Sequence, residues 1–321
     1  MRAARYHRYG DPGVLRIDDV PTPVPAPGQV LIQVEAIGAN AIDTVFRSGT
    51  GAFDRPLPGR LTGDVVGTVV ALGAGTSGVT LGDRVAALSE DAFAEHVAAD
   101  ARWVVPVPVT ADAGAAAALS MTGPLAVRLV RAARTGPGDT MLIHSAAGAV
   151  GHLAVQLARQ AGARTVIGTA SNPEKRAFVE ALGADATVDS RDPDWPALVA
   201  AAAPDGVDVV LDAIGGRVFD QGVELLAPEG RIVAYGAIGG TLPTVSARLL
   251  FAGKHATGVS LTAWRAARPR LADADIAEFA ELLDAGKVRS HVHSTHALAD
   301  VRHVHELLDA RANLGRVVVR P

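Results

Sequence analysis

Short alternating runs of apolar and polar residues fill the first 110 positions and are separated by glycine and proline. Alternation of this kind predicts β-strands, because successive side chains of a strand point to opposite faces. No apolar repeat of helical period extends beyond two turns here. The predicted strands cover residues 30–36, 64–72 and 83–88, joined by long turns as in a small β-barrel.

From about residue 110 the pattern changes to nearly continuous apolar runs that alternate with amphipathic stretches of helical period. Continuous apolar runs are typical of parallel strands that are covered on both faces. Their alternation with helices predicts a doubly wound parallel sheet. The predicted strands are 141–145, 165–169, 207–211 and 231–235, and the predicted helices are 111–134 with a kink at Gly123–Pro124, 150–161, 173–182 and 218–226.

After residue 237 the pattern loosens and predicts a strand at 256–261, helices at 275–285 and 301–310, and a last strand at 317–319. No helix accompanies the last strand, so we expect it to return to the sheet of the first part. The strand at 256–261 would lie at the edge of its sheet, where it could pair with its copy in a homodimer.

Composition removes several classes of protein. The 321 residues are 49% hydrophobic and 20% charged, which argues against disorder. A net charge of −4 gives no basic surplus for nucleic acid or an anionic membrane. The chain has no cysteine, which excludes disulfides and thiolate chemistry and suits a reducing cytoplasm. We see no signal peptide, and we interpret the uncharged stretch 140–158 as a buried strand, turn and helix.

The sharpest chemical signal is the sequence AAGAVG at 146–151, which follows a predicted strand and opens a predicted helix. Glycine at 148 lets the backbone approach a pyrophosphate, and glycine at 151 lets the helix pack closely on the strand. Free amides at a helix N-terminus attract an anion. The plainer alternative is a tight turn that needs glycine for steric reasons alone. The predicted contacts are Ser145, Gly148, Ala149, Val150 and Gly151.

The end of the next strand predicts which nicotinamide cofactor binds. Enzymes that use NAD place an acidic residue there to hold the ribose 2′-hydroxyl, but this chain has Thr169, Ala170 and Ser171. Lys175 and Arg176 follow on the first helical turn and could bind a 2′-phosphate. Their alternative role is that of a solvated helix face. The sequence therefore predicts NADP(H).

Several segments, taken in order, resemble the medium-chain dehydrogenase/reductase superfamily, specifically its zinc-independent NADPH:quinone oxidoreductase branch. The resemblance runs almost end to end and implies a GroES-like β-barrel domain of residues 1–120 and 262–321, with a Rossmann domain at 121–261. The segments are GANAID (38–43) with RSG (47–49), GDVVG (63–67), GDRV (82–85), FAEH (93–96), HSAAGAVG (144–151), GVDVVLDAIGG (206–216) and GRVV (315–318).

The resemblance also implies further cofactor contacts, at the ends of later strands of the Rossmann sheet and before the last strand of the chain. Asn313 would reach the nicotinamide amide. The contacts implied in this way are Ser190, Ala213, Ile214, Tyr235, Gly236, Ala237 and Asn313.

Three residues are predicted to carry the chemistry. Asn40 would polarise the substrate oxygen or orient the nicotinamide ribose, unless it is a turn-capping amide. Asp43 is either catalytic or the N-cap of a short helix at 44–47. Thr122 resembles a residue beside the nicotinamide, with a simple helix hydroxyl as the alternative.

No metal is predicted. Zinc-dependent relatives bind zinc through cysteines and a histidine, whereas the corresponding stretches here are 40–43 and 63–64, without a thiol. The five histidines between 291 and 305 do not combine into a ligand set of convincing spacing.

Without a metal, the electron acceptor must need little activation. Reduction of a simple carbonyl produces an alkoxide, which a Lewis acid or a Tyr–Lys pair normally stabilises. Quinones and α,β-unsaturated carbonyls delocalise the charge they receive. The sequence therefore predicts hydride transfer from NADPH to a quinone or a similar conjugated carbonyl. An enone, alkenal or enoyl-thioester reductase remains open, as does a non-catalytic NADPH-binding protein.

Overall fold

The computed structural model describes residues 1–50 and 55–321. The chain forms two compact units, the first made of residues 1–124 and 289–321 and the second of residues 125–288. In chain order the strands are β1 (Arg2–Tyr6), β2 (Leu15–Asp19), β3 (Gln29–Ala39), β4 (Gly63–Leu72), β5 (Arg84–Ser89), β6 (His96–Asp100), β7 (Val105–Pro106), β8 (Thr140–Ile143), β9 (Thr165–Ala170), β10 (Ala186–Asp189), β11 (Val207–Asp212), β12 (Leu226–Ala234), β13 (His255–Gly258), β14 (Val292–Ala297) and β15 (Arg316–Arg320).

Eleven α-helices are found in the described residues. They are α1 (Ile42–Ser48), α2 (Ala113–Ala116), α3 (Thr122–Ala132), α4 (Gly151–Gln160), α5 (Pro173–Ala181), α6 (Trp195–Ala202), α7 (Gly216–Glu224), α8 (Arg248–Phe251), α9 (Leu261–Ala267), α10 (Pro269–Asp284) and α11 (Val301–Asp309).

The first unit is built on a seven-stranded sheet, in which six strands follow the order β14-β15-β3-β4-β5-β7 and the seventh, β6, pairs with β3. The three strands predicted in this part of the chain are confirmed as β3, β4 and β5. The return of the last strand is also confirmed, because β15 pairs antiparallel with β3 through Val318 and Gly38. Apolar residues of β3, β4, β5 and α11 form one continuous core.

The second unit has a six-stranded parallel sheet with the order β10-β9-β8-β11-β12-β13. The predicted doubly wound sheet is confirmed. Sequence analysis missed β10 and α6, for physical reasons that differ. β10 has only four residues, of which Val188 alone is buried, while α6 is apolar almost throughout and shows little periodicity.

The prediction that the helix at 111–134 bends at Gly123–Pro124 is wrong. The chain is already broken between α2 and α3, and Pro124 lies in the first turn of α3. Proline is tolerated in a first turn, because the amide that it lacks would have no helical partner there. By the length and apolar composition of the described helices, no single one could span a membrane, and one bent pair, Ala113–Leu119 with Thr122–Ala132, passes that test only together.

The second unit ends at Val288, whereas the sequence analysis placed the return to the first domain at residue 262. Helices α9 and α10 stay with the second unit because a buried carboxylate joins them to α3. Asp275 on α10 accepts a hydrogen bond from Arg131 on α3 and one of 3.1 Å from Nε1 of Trp264 on α9.

Candidate functional site

The loop between β8 and α4 has the geometry of a phosphate-binding turn. Ser145 adopts a left-handed conformation with φ of 54°, and the amide of Gly148 donates to its carbonyl oxygen at 2.9 Å. A Cβ atom at position 151 would lie 2.2 Å from the same oxygen. Glycine is therefore required at 151, as the sequence pattern indicated.

Three amides at the start of α4 are not used by the loop's internal hydrogen bonds. The amide of His152 donates to the carbonyl of Gly148 at 3.1 Å. In the chain outside residues 51–54, the amides of Ala149, Val150 and Gly151 have no backbone acceptor. These donors lie at the positive end of a ten-residue helix, so the turn fits the phosphates of a dinucleotide.

A buried Thr–His pair supports this loop from the side of the sheet. The hydroxyl oxygen of Thr169 accepts from the amide of Ser145 at 3.3 Å and lies 3.3 Å from Nδ1 of His144. The His144 ring stands edge-on to Trp195, and burial lowers its pKa to about 4, so the imidazole is neutral at physiological pH. Thr169, predicted as a cofactor contact, uses its hydroxyl inside the protein. The sequence analysis assigned His144 no role, although a histidine at the end of an apolar strand was a usable signal.

Strand β9 ends at Ala170 and is followed by Ser171, so no carboxylate stands at this strand end. Lys175 is 7% exposed on the first turn of α5. Arg176 forms an ion pair with Asp189 at 2.9 Å, so its guanidinium is already engaged at the end of the neighbouring strand. Ser190 donates its amide to the carbonyl of Ala170 at 3.1 Å and thereby lies next to the same strand end.

The ends of β11 and β12 lie at the same edge of the parallel sheet as the loop, which is where α/β proteins bind ligands. The buried carboxylate of Asp212 accepts from the amides of Ile214 at 3.1 Å and Gly215 at 2.9 Å. These bonds shape the turn that contains Ala213 and Ile214. The amide of Tyr235 donates to the carbonyl of Asp212 at 2.9 Å, which places Gly236 and Ala237 beside that turn.

A second polar cluster lies in the first unit, where β3 ends and β4 begins. Asn40 is 6% exposed, and in the described residues its Nδ2 atom has no hydrogen-bond acceptor. The Asp43 carboxylate is fully buried and accepts from the amide of Thr62 at 2.9 Å and from its hydroxyl at 3.1 Å. Burial raises the pKa of Asp43 to about 7, although both hydrogen bonds oppose the shift.

The alternative reading of Asp43 as an N-cap is wrong. The cap position of α1 is Ala41, without a side-chain hydrogen bond, and Asp43 lies inside the first turn. Its carboxylate turns away from the helix end because Thr62 offers it two donors in a buried environment.

Thr122 belongs to a buried network around Arg316. Its hydroxyl accepts a hydrogen bond from Arg316, whose other terminal nitrogen pairs with Asp64 at 3.0 Å. Asp64 also accepts from the hydroxyl of Ser120 at 2.6 Å. A Cβ atom at position 38 would lie 1.7 Å from the guanidinium, so Gly38 gives Arg316 room to cross β3.

Asn313 lies in the turn before β15. Its Nδ2 atom donates to the carbonyl of Gly315 at 2.7 Å, so the side chain takes part in shaping the turn. The predicted contact with the nicotinamide amide stays a prediction.

The residues at the positions of zinc ligands in zinc-dependent relatives do not fit a catalytic zinc site. The chain lacks the thiolates such sites use. Asp43 is held by Thr62, and Asp64 by Arg316 and Ser120. Across residues 1–50 and 55–321, no three His, Asp or Glu side chains come together as a metal site, and the histidines of the C-terminal segment are included in that statement.

Comparisons with known proteins agree with both units. The model of the alcohol dehydrogenase GroES-like domain matches residues 26–109, and that of the zinc-binding dehydrogenase matches residues 149–281. A quinone oxidoreductase of Pseudomonas aeruginosa is 32% identical, with 99% of this chain and 98% of that protein aligned. A mycobacterial protein solved with NADPH is 34% identical, with a TM-score of 0.91 over 100% of both chains. The Escherichia coli quinone oxidoreductase, also solved with NADPH, is 27% identical, with a TM-score of 0.89 over 100% of both chains.

A GroES-like domain combined with a Rossmann domain that carries a dinucleotide-type loop defines the class of medium-chain dehydrogenases/reductases. The chain belongs to the quinone oxidoreductase branch of that superfamily.

Proposed function

We propose that the protein is an NADPH-dependent oxidoreductase that transfers a hydride to a quinone or a similar conjugated carbonyl compound. The observation that carries the proposal is the amide-lined loop at the start of α4, next to a strand end that has no carboxylate. NADPH supplies the hydride when it is bound. The fit to the family's quinone oxidoreductases supports a small-molecule acceptor.

We assign the cofactor contacts by their place at the sheet edge. Ser145, Gly148 and the amides of Ala149, Val150 and Gly151 would hold the pyrophosphate. The 2′-phosphate would meet the basic side chains after β9, and the nicotinamide half would lie along the ends of β11 and β12. Thr169 would act through Ser145. The residues proposed to contact the 2′-phosphate region and the nicotinamide half are Ser171, Lys175, Arg176, Ser190, Ala213, Ile214, Tyr235, Gly236, Ala237 and Asn313.

We propose that catalysis needs no zinc. The free Nδ2 donors of Asn40 would bind the oxygen of the acceptor, where negative charge develops as the hydride arrives. Thr122, fixed by Arg316, would keep its own hydroxyl proton for donation, since a guanidinium can only donate to it. A conjugated acceptor spreads the charge and makes a metal unnecessary.

Oxidation of NADPH measured with 1,4-benzoquinone, a 2-alkenal and an enoyl thioester tests this function. We expect fastest turnover with the quinone, a preference for NADPH over NADH, and no loss on chelation of metals. Turnover with the alkenal or thioester alone would replace the quinone assignment. NADPH binding without turnover of any acceptor would make the protein a binding protein.

We further propose that the protein is a cytoplasmic homodimer. Strand β13 ends the sheet order in the described residues, and the nearby Phe251 side chain is 93% exposed. An open strand edge beside an exposed aromatic residue is a surface on which a second copy can extend the sheet. Solution scattering that gives the mass of one chain would refute the dimer, and cell fractionation tests the compartment.

A further inference from the structure

An amide, a hydroxyl and a carboxyl group lie where β3 ends and β4 begins. Ala39 and Gly63 are the last paired residues of this antiparallel ladder. Asn40 follows Ala39 and Thr62 precedes Gly63, so the register of the ladder places Asn40 and Thr62 next to each other. Thr62 in turn holds the Asp43 carboxylate with its amide and its hydroxyl.

The two hydrogen bonds to Asp43 are chemically different. The amide of Thr62 can only donate, so it fixes Oδ1 of Asp43 as an acceptor. The hydroxyl of Thr62 can donate to an ionised Oδ2 or accept from a protonated one. When Asp43 is neutral, its proton lies on Oδ2 and points to Thr62, whose own hydroxyl proton is then available to a third group.

The surroundings leave a large neutral fraction of Asp43 near pH 7. Tyr6 on β1, Arg55 and Glu90 are the titratable groups that act on this carboxyl, and Arg55 is itself paired with Glu90. Arg47 on the same helix binds Asp309 at 2.7 Å. No cation is thus committed to Asp43 in the part of the chain that the structure describes, and burial raises its pKa to about 7.

We propose that Asp43 and Thr62 form a proton relay that completes the reduction of an acceptor whose oxygen is held by Asn40. The proposal rests on the proposed function. The acceptor gains two electrons and a proton as hydride from the coenzyme, which becomes oxidised, and its oxygen carries the negative charge. The O–H bond of Thr62 breaks as its proton moves to that oxygen. Oδ2 of Asp43 then gives its proton to Thr62, and after the product leaves, water returns a proton to the carboxylate through the Thr62 hydroxyl.

Thr62→Val tests the relay because it keeps the branched side chain and the backbone amide and removes only the hydroxyl. We expect turnover to fall by about 10²-fold, the usual contribution of a general acid, with the NADPH affinity unchanged. Thr62→Ser should restore most of the turnover, which also covers the case in which valine disturbs folding. Thr68→Val, the same exchange within β4, is the matched control and should behave like the wild type. Equal turnover in Thr62→Val and Thr68→Val would overturn the proposal.

The pH profile and the infrared spectrum give independent readouts. The wild-type turnover should fall as the pH rises through about 7, where Asp43 loses its proton, and Asp43→Asn should abolish that fall. Difference infrared spectra should show a protonated carboxyl band that titrates over the same range, is absent in Asp43→Asn and shifts in Thr62→Val. A carboxyl ionised throughout this range would overturn the relay. A wild type without NADPH-dependent turnover would instead refute the proposed function, while the spectra would still report on the Asp43–Thr62 pair.

Discussion

At the scale of single residues, the side chains that the sequence predicts to be functional divide into two groups. Some are proposed to bind a ligand, and others hold a neighbouring functional residue in place. Thr169 holds Ser145, and Thr122 is held by Arg316. The proposed roles of Lys175 and Asp43 can be tested most directly. Lys175 is proposed to bind the 2′-phosphate, and Asp43 loses its proton as the pH rises.

Lys175→Glu should weaken NADPH binding by about 100-fold and NADH binding far less, because only NADPH brings a 2′-phosphate, which prefers a basic partner. Fluorescence titration with both coenzymes measures the two affinities. Lys287→Glu, an exposed charge reversal in the same unit, is the control. An equal loss for both coenzymes would remove the 2′-phosphate from this position.

Asp43 also predicts a pH dependence of stability. Its pKa is raised from 3.8 to about 7 in the folded chain, so between these values the native state holds a proton that the unfolded state has lost. Its stabilising contribution is complete below the unfolded pKa and disappears as the pH rises through the folded pKa. As the pH rises between these two pKa values, denaturant unfolding should therefore show the wild type losing stability relative to Asp43→Asn, by up to about 1.4 kcal/mol per pH unit. Parallel curves for the two proteins would contradict the shift.

At the scale of elements, the long periodic strands and helices of both units could be predicted from the sequence, and the short or interrupted ones could not. Val188 alone is buried in β10, so no alternation marks that strand. The break before Thr122 depends on how a chain of alanines packs, which local propensity does not decide. The loop at 146–151 was predictable because its glycines meet a purely local steric demand at Ser145. Thr62 was not, because its partner Asp43 is nineteen residues away.

Asp275 provides a test of how α3, α9 and α10 hold together. Asp275→Ala would remove the buried acceptor of Arg131 and of the Trp264 indole, which should cost about 2 kcal/mol of unfolding free energy. Glu278→Ala removes the other carboxylate on Arg131, which is half exposed, and should cost below about 1 kcal/mol. Chemical denaturation of both variants gives the comparison, and equal losses would show that burial of Asp275 does not matter.

At the scale of the whole molecule, the first unit is discontinuous in sequence, and Arg316 joins its two segments through a fully buried ion pair with Asp64. Gly38→Ala would push a Cβ atom into the guanidinium and break its pair with Asp64, at a cost of about 3 kcal/mol. Trp103 lies in this unit, so in a background with Trp195→Phe and Trp264→Phe its fluorescence in denaturant should report an earlier transition. Gly136→Ala, where a Cβ atom meets nothing within 4 Å, is the control. A Trp103 transition unchanged from the wild type would contradict the role of Arg316.

Arg316 follows residues 125–288 along the chain, and this order bears on events during synthesis. The carboxylate of Asp64 emerges early but meets its guanidinium only when β15 has left the ribosome. Until then the barrel contains an uncompensated charge, whereas residues 125–288 are already complete. We therefore expect residues 125–288 to complete their fold before the first unit closes around Arg316.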